Sequence, residues 1–166
     1  MIFKTNKHNS DLYNTLLLLS RNIFFYKDLK FNDSYETRIY LMFFHYSIIL
    51  LISKIKGKKA DQANYNNLFF HIENNLRELG FGDISVNKKM KELNKILYDI
   101  LLKIDRSETN DKFDINKDIL IKYFDSLISK KNANLSLLAS YFEEFYSFCF
   151  ELSMDNMIED IKNFKY

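Results

Sequence analysis

The chain contains no proline, one cysteine and three glycines in 166 residues. Each scarcity excludes something. With no proline, and glycine only at Gly57, Gly80 and Gly82, helix breakers are nearly missing, which favours long helices over a turn-rich β fold. Cys149 alone excludes an internal disulfide framework and any multi-cysteine metal site. An excess of one charge is also missing. The 24 basic and 22 acidic residues leave a net +2, too balanced to mark a nucleic-acid binder. Met1 to Asn9 is polar and lacks the apolar stretch of a secretory signal.

What the chain has is bulk. Hydrophobic residues make up 47%, with 16 Phe and 11 Tyr. The length fits one domain, which buries roughly two thirds of its unfolded surface and needs no covalent staples. Lysine outnumbers arginine 20 to 4. Scattered Lys and Asn are the mark of an AT-rich coding sequence and read as plain surface. The few arginines carry more weight, because a planar bidentate fork is something lysine cannot supply.

Ile39 to Ile52 is the one long apolar run. As a helix those residues span about 21 Å, short of the roughly 30 Å hydrocarbon core of a bilayer. The run holds His45 and is flanked by Arg38 and Lys54. It is predicted to be a buried central helix of a soluble protein.

Around it the apolar spacing of three and four predicts an all-α, single-domain bundle of about six to seven helices over residues 1–166. A first helix starts at an Asn9 or Ser10 cap and runs to about Arg21. An aromatic link, Phe24-Phe25-Tyr26, comes next. Asp33-Ser34-Tyr35-Glu36 resembles a capping box with Asp33 as cap. The central helix then ends at Gly57, suited to a left-handed cap. A third helix covers about Ala60 to Leu79 and a fourth about Ser85 to Ile104. The polar stretch Asp105 to Lys112 is a loop. A helical C-terminal part, about 114–166, comprises Asn116 to Ser129, Leu135 to Leu152 and Met154 to Phe164.

A catalytic constellation is missing. There is no nucleophile elbow and no phosphate loop, since Gly80-Phe81-Gly82-Asp83 lacks the Lys-Ser/Thr of such a loop. His8, His45 and His71 lack ligand spacing, so no metal, cofactor or small-molecule substrate is expected. The adjacent pairs Glu143-Glu144 and Glu159-Asp160 do not face each other on a helix and read as solvated surface. Cys149 lies on an apolar stripe and is expected to be a buried, inert thiol. Arg38 and His45 are seven residues apart and fall on nearly the same face of the central helix. They are either core groups, with Arg38 paired to a carboxylate such as Glu73 or Asp83, or polar contacts to a partner or a ligand. Lys54, Lys56, Lys58 and Lys59, and separately Lys88, Lys89, Lys91 and Lys95, are either solvated surface or basic patches for anionic lipid or ribosomal RNA. Aromatic residues are not interleaved there, so base stacking and sequence-specific nucleic-acid recognition have no support.

The sharpest string is Leu76-Arg77-Glu78-Leu79-Gly80-Phe81-Gly82-Asp83, with Val86, Lys88, Lys89 and Met90 after it. Upstream stand Phe25-Tyr26, Asp33, Arg38, His45 and Leu68-Phe69. In this order, over about residues 12–104, these residues resemble the ubiquinol–cytochrome c chaperone family, whose pattern includes a Leu-Arg-Glu-x-Gly-x-Gly-Asp segment. The chain departs from that pattern where Phe31-Asn32 lacks the usual proline before Asp33. It departs again where His71 and Glu73 replace a more acidic stretch, and where Tyr98-Asp99-Ile100 replaces Tyr-Gly-Arg.

The resemblance implies a non-enzymatic assembly factor for ubiquinol–cytochrome c reductase. Its client would be newly made cytochrome b, met near the ribosome exit and an anionic membrane surface. It would work in a bacterial cytoplasm, peripheral to the inner membrane, or in the mitochondrion if the source is eukaryotic. Arg77, Glu78, Gly80, Gly82, Asp83, Lys88 and Lys89 become the candidate contact residues. In the turn itself, two glycines are expected to use positive φ, and Asp83 to cap the next helix. The alternative is a general helical adaptor that docks on anionic membrane or ribosome through its lysine clusters.

Overall fold

The computed structural model describes the backbone of residues 7–104, 112–127 and 135–166, with side chains from Leu12 onward. Most of the expected Asp105 to Lys112 loop and the end of the Asn116 to Ser129 helix lie outside the described residues. So do the side chains of the expected caps Asn9 and Ser10.

Among the described residues the chain forms eight α-helices in order: α1 (Lys7–Ser20), α2 (Ile23–Lys27), α3 (Tyr35–Ile55), α4 (Gln62–Glu78), α5 (Asp83–Ile104), α6 (Lys117–Phe124), α7 (Leu135–Phe150) and α8 (Met157–Asp160). Short 3₁₀ turns extend α6 and α8. No strand occurs among the described residues. The fold is all-α, as expected.

α3 is the axis of the bundle. Its 21 residues span about 31 Å, because the helix includes polar turns on both sides of the apolar run. By length and composition alone it is apolar enough to cross a membrane, yet two thirds of its most apolar window is buried within the protein. A helix that is apolar all round has to be covered all round. α1, α5, α6 and α7 provide that cover, and α4 packs across α1 and α5. Aromatic rings set the spacing. Phe44 meets Phe124 of α6 at 5.1 Å and Phe142 of α7 at 5.3 Å. Phe25 of α2 meets Tyr141 of α7 edge-on at 4.7 Å. α5 is fastened to α6 through Asp99, which accepts hydrogen bonds from Lys122 at 2.7 Å and from the Tyr123 hydroxyl, and pairs with Lys103. Partial burial raises the Asp99 pKa, but those three partners outweigh it and hold the carboxyl well below the usual range.

Several boundaries differ from expectation for local reasons. α1 begins at Lys7, ahead of Asn9 and Ser10. The aromatic link is itself a helical turn, α2, whose Asn22 side chain accepts from the Phe24 amide. Ser34, not Asp33, caps α3, its Oγ accepting from the Thr37 amide. Asp33 instead binds Arg38. α7 ends at Phe150 rather than Leu152. The Met154 to Phe164 segment forms only α8 and a 3₁₀ turn.

Two glycines stop helices by the same device. Gly57 (φ +71°) and Gly80 (φ +94°) come just after the last turns of α3 and α4. Behind them, Lys58 N–H donates to the Ser53 carbonyl at 2.8 Å and Phe81 N–H to the Leu76 carbonyl at 3.2 Å. The glycine amides donate to Lys54 and Arg77 carbonyls. These are Schellman closures, in which a left-handed residue lets the chain turn back and satisfy the last carbonyls. Gly82 does not use positive φ, contrary to expectation. Asp83 is the first residue of α5 rather than its cap. The Gly82 carbonyl receives the Val86 amide at 2.9 Å.

Candidate functional site

Arg38 and His45 do not form one polar face. His45 is sealed in the core, fully buried. Its Nδ1 donates to the Leu41 carbonyl at 2.6 Å, so Nε2 is left to accept the Tyr141 hydroxyl at 2.8 Å. Four rings close around it: Phe25, Tyr141, Phe142 and Phe145. Burial pushes its pKa down to about 4, with the Leu41 carbonyl partly opposing that shift. Arg38 lies a third exposed in the first turn of α3, two turns before His45, and pairs with Asp33 at 3.1 Å, not with Glu73 or Asp83. Those two carboxylates hold Arg77 instead.

The α4–α5 turn is stapled by that pairing. Arg77 bonds Glu73 one turn back at 3.1 Å and Asp83 across the turn. Both bonds raise its pKa further, that to Asp83 most. Lys89 lies 4.8 Å over the Phe81 ring. Lys88 and Glu78 are exposed. The turn also presents apolar surface, since Leu79, Phe81 and Ile84 are all exposed.

Glu78 and Leu79 border a cleft of about 420 Å³ between α1, α3 and α4. Buried Ile39 and Met42 line it, with Arg21 and Arg38 also contributing. The Tyr35 hydroxyl is buried there without a hydrogen-bond partner among the described residues, and burial raises its pKa. Arg21, Arg38 and Glu78 come from separate parts of the sequence, and only the folded chain brings them together.

The other lysine cluster divides. Lys56 is a structural tie: its Nζ donates to the Phe150 and Leu152 carbonyls at 2.6 and 2.9 Å, neutralising the C-terminus of α7. Lys54, Lys58 and Lys59 border a groove of about 600 Å³ between the last turns of α3 and α5. The apolar lining comes from Leu50, Leu51, Tyr98, Leu101 and Leu102. This groove was not foreseen, although Tyr98, Leu101 and Leu102 form a second apolar stripe at steps of three and four beside the core face of α5.

The expected inert thiol is found: Cys149 is fully buried, and burial pushes its pKa up to about 12. Of the acidic pairs read as solvated, Glu143 is half-buried, with the Asp114 carboxylate as a neighbour. Burial and that neighbour together raise its pKa. No metal-ligating cluster occurs among the described residues.

The family model of the ubiquinol–cytochrome c chaperone matches residues 27–157. The chain belongs to this family. Membership carries a chaperone role in assembly of ubiquinol–cytochrome c reductase and implies a non-enzymatic one. The matched span contains α3 to α7, the stapled turn and the lysine-bordered groove. Among solved structures, that of the Cbp3 homolog from Brucella abortus is similar, with a TM-score of 0.66 and 17% identity over 95% of this chain and 87% of that one. At that identity the likeness establishes the fold. No curated protein matches the chain. In the ubiquinol–cytochrome c chaperone fold seen here, the buried His45 is part of the scaffold.

Proposed function

We propose that this chaperone holds newly made cytochrome b during assembly of the reductase, using the α4–α5 turn and the adjoining cleft. One observation carries the reading: Leu79, Phe81 and Ile84 are exposed together on a turn bridged by Arg77 and two carboxylates. Clustered exposed apolar groups suit a client whose own apolar surface is not yet buried. Glu78, Lys88 and Lys89 add polar contacts at the border, and Gly80, Gly82 and Asp83 set the shape of the turn. The site of action would be the cytoplasmic face of the bacterial inner membrane near the ribosome exit, or the mitochondrion in a eukaryote. No catalysis is assigned to it, since His45 has no route to a substrate.

Photo-crosslinking residues placed at Leu79, Phe81 and Ile84 in the host are expected to capture nascent cytochrome b. Failure to capture it, together with a normal level of the assembled reductase after deletion of the gene, would overturn the proposal.

A further inference from the structure

The groove between α3 and α5 has the make-up of a ligand site. Its volume, about 600 Å³, lies within the range of small-molecule pockets, which are mostly apolar with a few placed polar groups. The charge is all at one end. From Ser47 to Lys54 the α3 wall runs seven residues, about 10 Å. Leu50, Leu51, Leu101 and Leu102 line its length. Gly57, Lys58 and Lys59 form the wall where α3 has ended. The Schellman closure at Gly57 ends α3 there, and Lys58 and Lys59, the next two residues, line this end of the groove. Both lysines are exposed. Among the described residues no carboxylate lines the groove: Asp99, next to Tyr98, is held by Lys103, Lys122 and Tyr123, and Asp61, two residues after Lys59, caps α4 through the Ala63 amide and lines a neighbouring cavity with both lysines.

We propose that this groove binds a free single-chain anionic amphiphile, such as a fatty acid. The acyl chain lies along Leu50, Leu51, Tyr98, Leu101 and Leu102, and the carboxylate meets Lys58 and Lys59. Charge complementarity at one end and apolar lining elsewhere select this class over a neutral lipid, which leaves the lysines unanswered. They also select it over a free anion, which leaves the leucines unanswered. The site is separate from the α4–α5 turn and does not depend on the client reading.

Isothermal titration of the full chain with saturated carboxylates of increasing length, below their micelle concentrations, tests it. Affinity is expected to tighten about fourfold per added methylene until the groove is filled, then level off. The alcohol of equal length is expected to bind at least tenfold more weakly. The double variant Lys58→Gln/Lys59→Gln is expected to lose that preference for acid over alcohol. Leu102→Glu, at an exposed position, is expected to abolish binding while leaving the helical circular dichroism unchanged. The proposal is overturned if no carboxylate binds, if acid and alcohol bind alike, if either variant binds as wild type, or if only intact anionic vesicles bind.

Discussion

His45 is a neutral imidazole fixed between a carbonyl that accepts and a hydroxyl that donates, and its burial has a consequence for acid stability. Its folded pKa of about 4 lies below the ordinary 6.5. In acid the unfolded chain therefore takes up a proton that the folded chain refuses. Stability is present in full above pH 6.5 and is lost as pH falls towards 4, by about 3 kcal/mol from this group. Urea unfolding measured from neutral pH down to about pH 4 is expected to show this loss in the wild type. In His45→Gln the slope is expected to be shallower, despite lower stability at neutral pH from the unpaired Tyr141 hydroxyl. Equal slopes would contradict the assignment, because the carboxylates are common to both proteins. Neither this bond nor the ring cage was legible in the sequence. Tyr141 lies 96 residues away, and an apolar helix bearing a histidine is compatible with a core, a ligand or a partner contact.

At the scale of elements, the α4–α5 turn shows which glycine is needed. Gly80 stands at φ +94°, with open space where a Cβ would go. Its requirement is therefore one of backbone conformation, not of room. Gly80→Ala is expected to cost about 1–2 kcal/mol, read as a lowered melting temperature. Gly82→Ala, in equally open space without positive φ, is expected to be nearly neutral. Equal effects at both positions would show that the closure at Gly80 is not what holds the turn. The long helices were readable beforehand, because α4, α5 and α7 repeat apolar residues at steps of three and four, α3 is one continuous apolar run, and almost nothing interrupts them. Ends were less readable. Asp33 and Ser34 are adjacent and both can cap, and only the phase of the first turn decides between them. α2 has five residues, too few to show a period. The turn was visible as a string of residues. Its cleft was not, because periodicity assigns each helix a face but does not say which faces meet.

The whole molecule is organised around α3, and the cover of that helix comes largely from segments later in the chain. A fragment ending at Ile104 keeps α1, α4 and α5 but loses Phe124, Tyr141 and Phe142, which close over Phe44 and His45. Such a fragment is expected to bind the dye ANS strongly, as loosely packed states with exposed apolar surface do, whereas the full chain should not. Weak, equal dye binding by both would mean that α6 and α7 are dispensable to the core.

α3 is finished long before α7 exists. Synthesis proceeds at roughly 5–20 residues per second, so some 95 further residues separate the end of α3 from the end of α7, an interval on the order of 5–20 s. During that time α3, apolar enough by length and composition to cross a membrane, lacks the part of its cover that α6 and α7 supply. Its cover in that interval comes from α1 and α5, with α4 packed across both, so the burial of α3 depends on folding order as much as on final stability.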